Sequence, residues 1–143
     1  MTNTRTLLFL CTGNSCRSQM AEGYARTMAD ESWRVLSAGI EAHGQNPRAI
    51  AVMREDGVDI ANQHSTVLTE NMLNQADMLV TVCGHADEHC PVVPGRVVKH
   101  HWPLPDPARA EGTDEEILNA FRAVRDDIKQ RVRALLTDPI STT

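Results

Sequence analysis

Residues 6–18 read TLLFLCTGNSCRS, and the rest of the chain is best read outward from them. The first seven form a nearly continuous apolar run that fits a strand buried in a parallel sheet. From residue 17 the period changes. Met20, Ala21, Tyr24, Ala25 and Met28 recur at helical spacing, which predicts a helix over 17–30. Between the two lies a tight loop. A strand, a short loop and a helix N-terminus form a ready anion site, because loop amides turn inward and the helix dipole adds positive potential. Arg17 closes the loop with a planar fork suited to two oxygens of a tetrahedral oxyanion. The same field favours the thiolate of Cys11, and Ser18 offers that thiolate a hydroxyl donor. Cys11 is therefore expected to be a nucleophile, aimed at an oxyanion held by Thr12, Gly13, Asn14, Ser15, Cys16 and Arg17. Cys16 is expected to serve through its amide, although a Cys11–Cys16 disulfide under oxidation stays open.

A cysteine six residues before an arginine is a weak signal alone, and the chain contains a second copy, CPVVPGR at 90–96. There Pro91 and Pro94 have no amide to donate. No serine follows Arg96, and the next residues read as a strand. Only the first copy has the right context.

Strand-like runs recur at 33–39 (WRVLSAG), 77–83 (DMLVTVC) and, more weakly, 95–102 (GRVVKHHW). Helices are expected at 46–57, with Pro47 at its start and Gly57 at its stop, and at 69–75 with Thr69 as cap. A long one is expected at 113–136, where Thr113 and Glu116 make a capping box. Ile117, Phe121, Val124, Ile128, Val132 and Leu135 line one face of it. Strands alternating with helices imply an α/β fold: a single domain over 1–143, with a four-stranded parallel sheet flanked by helices and residues 137–143 as a frayed tail. Ligands of such sheets bind at the carboxyl ends of the strands. The runs ending at Cys11 and Cys83 can share that rim.

Composition narrows the function. The chain has 143 residues, 41% hydrophobic, enough for one core. Its net charge of −5 and few aromatics argue against nucleic acid or an anionic membrane as partner. Apolar runs fall far short of the roughly 20 residues that span a bilayer. The N-terminus lacks the core of a signal peptide, so a cytoplasmic monomer is expected. In that reducing setting Cys11, Cys16, Cys83 and Cys90 point to catalysis, redox cycling or metal rather than to structural disulfides.

The stretch FLCTGNSCRSQMAEG resembles the signature loop of the low-molecular-weight tyrosine phosphatase superfamily, and the likeness extends over nearly the whole chain. In that superfamily an Asp-Pro near the C-terminal third is the general acid that protonates the leaving oxygen. Asp106, in HWPLPDPA at 101–108, is the matching position. Read alone it is a turn aspartate held between prolines. The segments SAGIEAHGQNP, VTVCGHADEHCPVVP and HWPLPDPA together look like the thioredoxin-coupled arsenate reductase branch. That resemblance implies a relay. Cys11 attacks arsenate with Asp106 or Arg17 assisting, and Cys83 attacks Cys11 and releases arsenite. Cys90 then attacks Cys83, leaving a Cys83–Cys90 disulfide for thioredoxin. No bound cofactor is implied, only thioredoxin as external reductant. The relay needs a mobile segment, and the polar stretch Gly84 to His89 is expected to be a loop that serves as one.

Several relatives hold a potassium ion near the loop. Asn14, Glu22 and Ser37 match ligand-bearing positions, but NQHST at 62–66 puts His64 and Thr66 where ion-binding members have Thr and Asp. No metal is expected, and Gln63 is placed near Cys83. Zinc on Cys83, His85, His89 and Cys90 is disfavoured because their spacing is not that of structural zinc sites. The main rival is a tyrosine phosphatase using Cys11, Arg17 and Asp106. It is weakened by the scarcity of aromatics near the site, where Trp102 is the one neighbour of Asp106 in sequence and Tyr24 and Trp33 are expected on the core side or at a strand start. An oxyanion or arsenite sensor is weaker still, since no helix-turn-helix with a basic face is present.

Overall fold

The computed structural model describes residues 4–90 and 95–137. Four parallel strands, β1 (Arg5–Cys11), β2 (Trp33–Gly39), β3 (Met78–Thr81) and β4 (Val98–His101), form one sheet in the order β2-β1-β3-β4. The expected α/β architecture is thus the observed one. Leu7, Leu8, Phe9 and Leu10 have no exposed surface, as a central parallel strand requires. Helix α1 (Arg17–Met28) carries the chain from β1 to β2. Helices α2 (Pro47–Glu55) and α3 (Glu70–Gln75) lie between β2 and β3, α4 (Gly84–His89) lies between β3 and β4, and α5 (Asp114–Thr137) closes the chain. Helix α5 packs on α1 and α2, while α3 packs on β1 and α4 on β1 and β3.

Caps explain several boundaries. The Asn46 side chain accepts from the amides of Arg48 and Ala49, and Thr69 accepts from Met72. Thr113 and Glu116 bond reciprocally, the expected capping box. Tyr24 is buried, its hydroxyl donating to Asp56, while Trp33 is half-buried under the Arg5 guanidinium.

One expected loop is a helix. Residues 84–89 form α4, and Cys83 caps it, its sulfur accepting from the Ala86 amide at 3.4 Å. Helix α5 runs through Thr137, one residue beyond its expected end and into the stretch expected to fray. Residues 91–94 of the second cysteine–arginine stretch, and 138–143, lie outside the described residues. Arg96 of that stretch braces the sheet edge by donating to the carbonyls of Asn74 and Ala76.

Candidate active site

The order β2-β1-β3 means that the chain leaves β1 in one direction and returns on its other side. The carboxyl end of β1 is therefore the switch point where such sheets bind ligands. Cys11 ends β1 there and is buried.

The loop after it is shaped by where its carbonyls go. Cys11 O accepts from Ile40 N, Thr12 O from Glu41 N, Gly13 O from His43 N and Ser15 O from Asn46 N, at 2.8–3.2 Å. Ser65 Oγ adds a second donor to Gly13 O, and Gln19 Nε2 satisfies Asn14 O. The segment after β2 thus runs alongside the loop and takes up its acceptors. This close approach requires Gly39, because a Cβ there would collide with the carbonyl oxygens of Glu41 and Thr12 and the amide of Asn14. With the carbonyls turned outward, the amides of Gly13, Ser15 and Cys16 have no protein acceptor among the described residues. They form the concave row of donors expected for an oxyanion. Asn14 makes the bend at φ 48°, a left-handed conformation that Asn tolerates better than most side chains.

Hydrogen bonds converge on the Cys11 sulfur. The Asn14 amide donates to it at 3.2 Å, and Ser18 Oγ lies 2.8 Å away. The direction of the second bond is fixed by its neighbours. Asn14 Oδ1 accepts from the Thr66 amide at 2.7 Å, so Nδ2 faces Ser18 Oγ at 2.7 Å and Ser37 Oγ at 3.0 Å. Ser18 accepts from Asn14 and so gives its own proton to the sulfur. Two donors thus converge on one buried sulfur and orient it. Cys16 is placed differently. Burial first of all pushes its thiol up to about 11, so it stays protonated at neutral pH.

Arg17 is nearly buried. Nη1 donates to the Leu104 carbonyl at 3.0 Å, and Nη2 lies 3.7 Å from Asp106 Oδ2. The guanidinium is thereby tied to the segment that carries Leu104 and Asp106. Asp106 is held by the Ala108 amide, which donates to its Oδ1 at 3.0 Å, at the head of a single 3-10 turn, Pro107–Arg109. Its other oxygen faces Arg17 across the mouth.

These groups line one cleft of about 600 Å³, with Cys11, Thr12, Gly13, Ser15, Cys16, Arg17, Cys83 and Asp106 in its wall. Thr12 Oγ1 and Cys83 Sγ are 3.3 Å apart, which places the second cysteine on the rim of the first one's cradle. Cys90 is half-buried at the far end of α4. Two rim residues escaped the sequence reading. His43 lies over Gly13 and pairs with Glu41, and Arg109 adds a cation. The sequence carried no spacing signal for either, since both depend on how the segment after β2 and the turn after Asp106 fold back. No Phe, Tyr or Trp is among the described lining residues. Trp102 instead packs on Phe9 in the core, 5.8 Å between centroids.

Gln63 is not near Cys83. Its amide donates to Gln19 O and Oε1, stiffening the start of α1 from behind. Asn14, Glu22 and Ser37 do come together, but not as a cation site. The Ser37 hydroxyl donates to Glu22 Oε1, Arg26 Nε donates to Oε2, and Asn14 Oδ1 is engaged by Thr66. Every oxygen a potassium ion would seek from these side chains already accepts a proton, and a guanidinium stands beside them. This donor set does not suit the ion. Among the described residues no three His, Cys, Asp or Glu side chains gather as metal ligands.

A buried cysteine in a donor-lined loop, an arginine beneath it and an aspartate over the mouth define a cysteine-nucleophile phosphatase type of site. Residues 6–141 match the low molecular weight phosphotyrosine protein phosphatase family, and the chain belongs to it. Its relatives in the family include arsenate reductases. It is 52% identical over 129 residues to an arsenate reductase of Bacillus subtilis, covering 90% of this chain and 93% of that one. It is 47% identical over 133 residues to arsenate reductase 2 of Staphylococcus haemolyticus, covering 93% and 97%. Among solved structures, an arsenate reductase in the phosphate binding state superposes with a TM-score of 0.76 at 36% identity, covering 96% of this chain and all of that one. An arginine phosphatase from Geobacillus stearothermophilus shares the fold, with a TM-score of 0.79 at 24% identity, covering 94% and 92%.

Proposed function

We propose that this protein is an arsenate reductase that uses Cys11, Cys83 and Cys90 in turn and is returned to its reduced form by thioredoxin in the cytoplasm. The observation that carries the reading is the approach of Cys83 to Thr12 at 3.3 Å. Hydrolysis of a phosphate ester needs the cradle, Arg17 and Asp106. It has no use for a second buried thiol on the rim.

The chemistry follows from the geometry. The oxyanion sits in the donor row with Arg17 across two oxygens, and the Cys11 thiolate attacks arsenic. A hydroxide or water leaves, protonated by Asp106 at the mouth, and a sulfur–arsenic bond forms. The Cys83 thiolate then attacks Cys11 Sγ. The sulfur–sulfur bond forms as the sulfur–arsenic bond breaks, and its electron pair stays on arsenic, which departs as arsenite. Cys90 attacks Cys83, expelling Cys11 as thiolate and leaving the Cys83–Cys90 disulfide. A dithiol reductant of the thioredoxin type resets it by the same exchange. The ~50% identity to named arsenate reductases and the small, non-aromatic cleft support this order of events.

The test is arsenate-dependent NADPH oxidation with thioredoxin and thioredoxin reductase, comparing wild type with Cys90→Ser. Turnover that the variant loses is expected. An inactive wild type that hydrolyses an aryl phosphate, with hydrolysis surviving in Cys90→Ser, would make the cleft a phosphatase and overturn the relay.

A further inference from the structure

We propose that Arg26 is a built-in cation behind the oxyanion loop. It is a positioning residue that holds the chain Glu22–Ser37–Asn14–Ser18 in the polarity that aims the Ser18 hydroxyl at Cys11, the part an alkali metal ion would otherwise play. The proposal rests on Cys11 being the nucleophile, which reduction and hydrolysis share.

Each link is on one side a donor and on the other an acceptor. Arg26 Nε donates to Glu22 Oε2 at 2.6 Å, and its other end is tied to the Val35 carbonyl at 2.9 Å. The Glu22 carboxylate is buried and accepts the Ser37 hydroxyl. Ser37 has thereby spent its proton and can only accept from Asn14 Nδ2, which also donates to Ser18. Ser18 is left with its proton for the sulfur. Among the described residues the Arg26 guanidinium is the cation that ties the Glu22 carboxylate in place. Without it the carboxylate is free to swing off Ser37, and the Ser37 hydroxyl is free to turn its proton elsewhere. Asn14 Nδ2 then loses the fixed acceptor that orders it, and Ser18 is no longer held with its proton on Cys11. Cooperative chains of this kind switch as a unit.

Other charges do not replace Arg26. Asp59 and His64 line the cleft behind Glu22, and neither bonds to its carboxylate. Arg17, Asp106 and His43 face Cys11 from the opposite side of the loop. Half of the Arg26 side chain is exposed, so its removal opens Glu22 to solutes while leaving the core intact.

The test is the rate at which iodoacetamide labels Cys11 at pH 7, read by peptide mass spectrometry, which needs neither arsenate nor thioredoxin. Its failure is therefore separate from any failure of the reductase reading. Wild type is expected to label equally in potassium chloride and choline chloride. Arg26→Ala is expected to label about tenfold more slowly, the scale of losing one hydrogen bond to a charged group. Arg26→Lys should stay near wild type, and added guanidinium or potassium, but not choline, should restore Arg26→Ala in part. A wild-type rate in Arg26→Ala, or stimulation of wild type by potassium over choline, overturns the proposal. So does slowing that neither Lys nor an added cation relieves, which marks a packing defect. Should Arg26→Ala fail to fold, Ser37→Ala cuts the same chain and must show the same slowing; an unchanged rate there refutes it.

Discussion

The helical state of residues 84–89 makes the last exchange of the proposed relay testable by a single methyl group. At 1.5 Å per residue a helix would hold the Cα atoms of Cys83 and Cys90 about 10 Å apart. A disulfide needs roughly 4.4–6.8 Å. Helix α4 must therefore unwind before Cys90 reaches Cys83, and anything that stabilises the helix should slow that step alone. Gly84 is the place to do this. It opens the helix, and a Cβ added there meets nothing within 4 Å. Gly→Ala in a helix is worth up to about 1 kcal/mol. If the helix is fully open when Cys90 attacks, the whole of that appears in the barrier, a slowing of about fivefold. In a single turnover with arsenate, arsenite release reports the first two steps, and loss of alkylatable Cys90 reports the third. Gly84→Ala should leave the first rate unchanged and slow the second about fivefold. An unchanged or faster loss of Cys90 thiol would mean that the helix need not open, and the argument from its length would fail.

Three further outcomes are expected. Asp106→Asn should cut hydrolysis of an aryl phosphate with a poor leaving group by roughly 10²–10⁴ while Cys11 still alkylates at the wild-type rate, since the carboxylate touches Arg17 and not the sulfur. Cys16 should resist iodoacetamide at neutral pH and become labelled only as the pH approaches 11, because burial holds it as a thiol below that point; labelling of both loop cysteines at equal rates at pH 7 would contradict this. Gly23→Ala should lower the melting temperature despite better helix propensity. The new Cβ would lie 2.6 Å from Ile60 Cγ2 and 3.1 Å from Met53 Cε, and overpacking of roughly 1–3 kcal/mol outweighs the gain of about 1 kcal/mol.

How much of this was legible in the sequence depends on whether the signal was local. The buried run before Cys11 and the helix after Arg17 announced themselves, because burial on both faces of a strand and 3.6-residue spacing leave marks in a single segment. Strand β3 was read three residues too long, one at its start and two at its end. Val82 still bonds back to Leu10 and Cys83 is buried, so the apolar run outlasts the strand. Helix α4 was read as a loop because HADEH has no apolar period and its cap is a cysteine, an unusual one. Of the site, Cys11, Ser18, Arg17 and the loop amides lie in one stretch and could be named together. Asp106 and Cys83 could be named but not placed. His43 and Gln63 were missed or misplaced because their roles exist only after the segment after β2 and Gln19 are brought beside the loop, and nothing in their spacing encodes those meetings. Arg26 does stand four residues from Glu22, a helical pair, but the pair gains its role only when Ser37 of β2 and Asn14 of the loop meet it.

The outward-turned carbonyls of the loop have a consequence for selectivity. A cradle made of main-chain amides and one guanidinium measures only the size and charge of a tetrahedral oxyanion, and arsenate and phosphate are nearly alike in both. On the proposed chemistry the protein does not choose between them when it binds. It chooses afterwards, because only an arsenic centre accepts the electron pair when Cys83 attacks Cys11. Phosphate, however abundant, can delay the cycle but not complete it. Fidelity is then a property of the second thiol rather than of the pocket, and substitutions that enlarge or reshape the cradle should change how fast the enzyme works more than what it reduces.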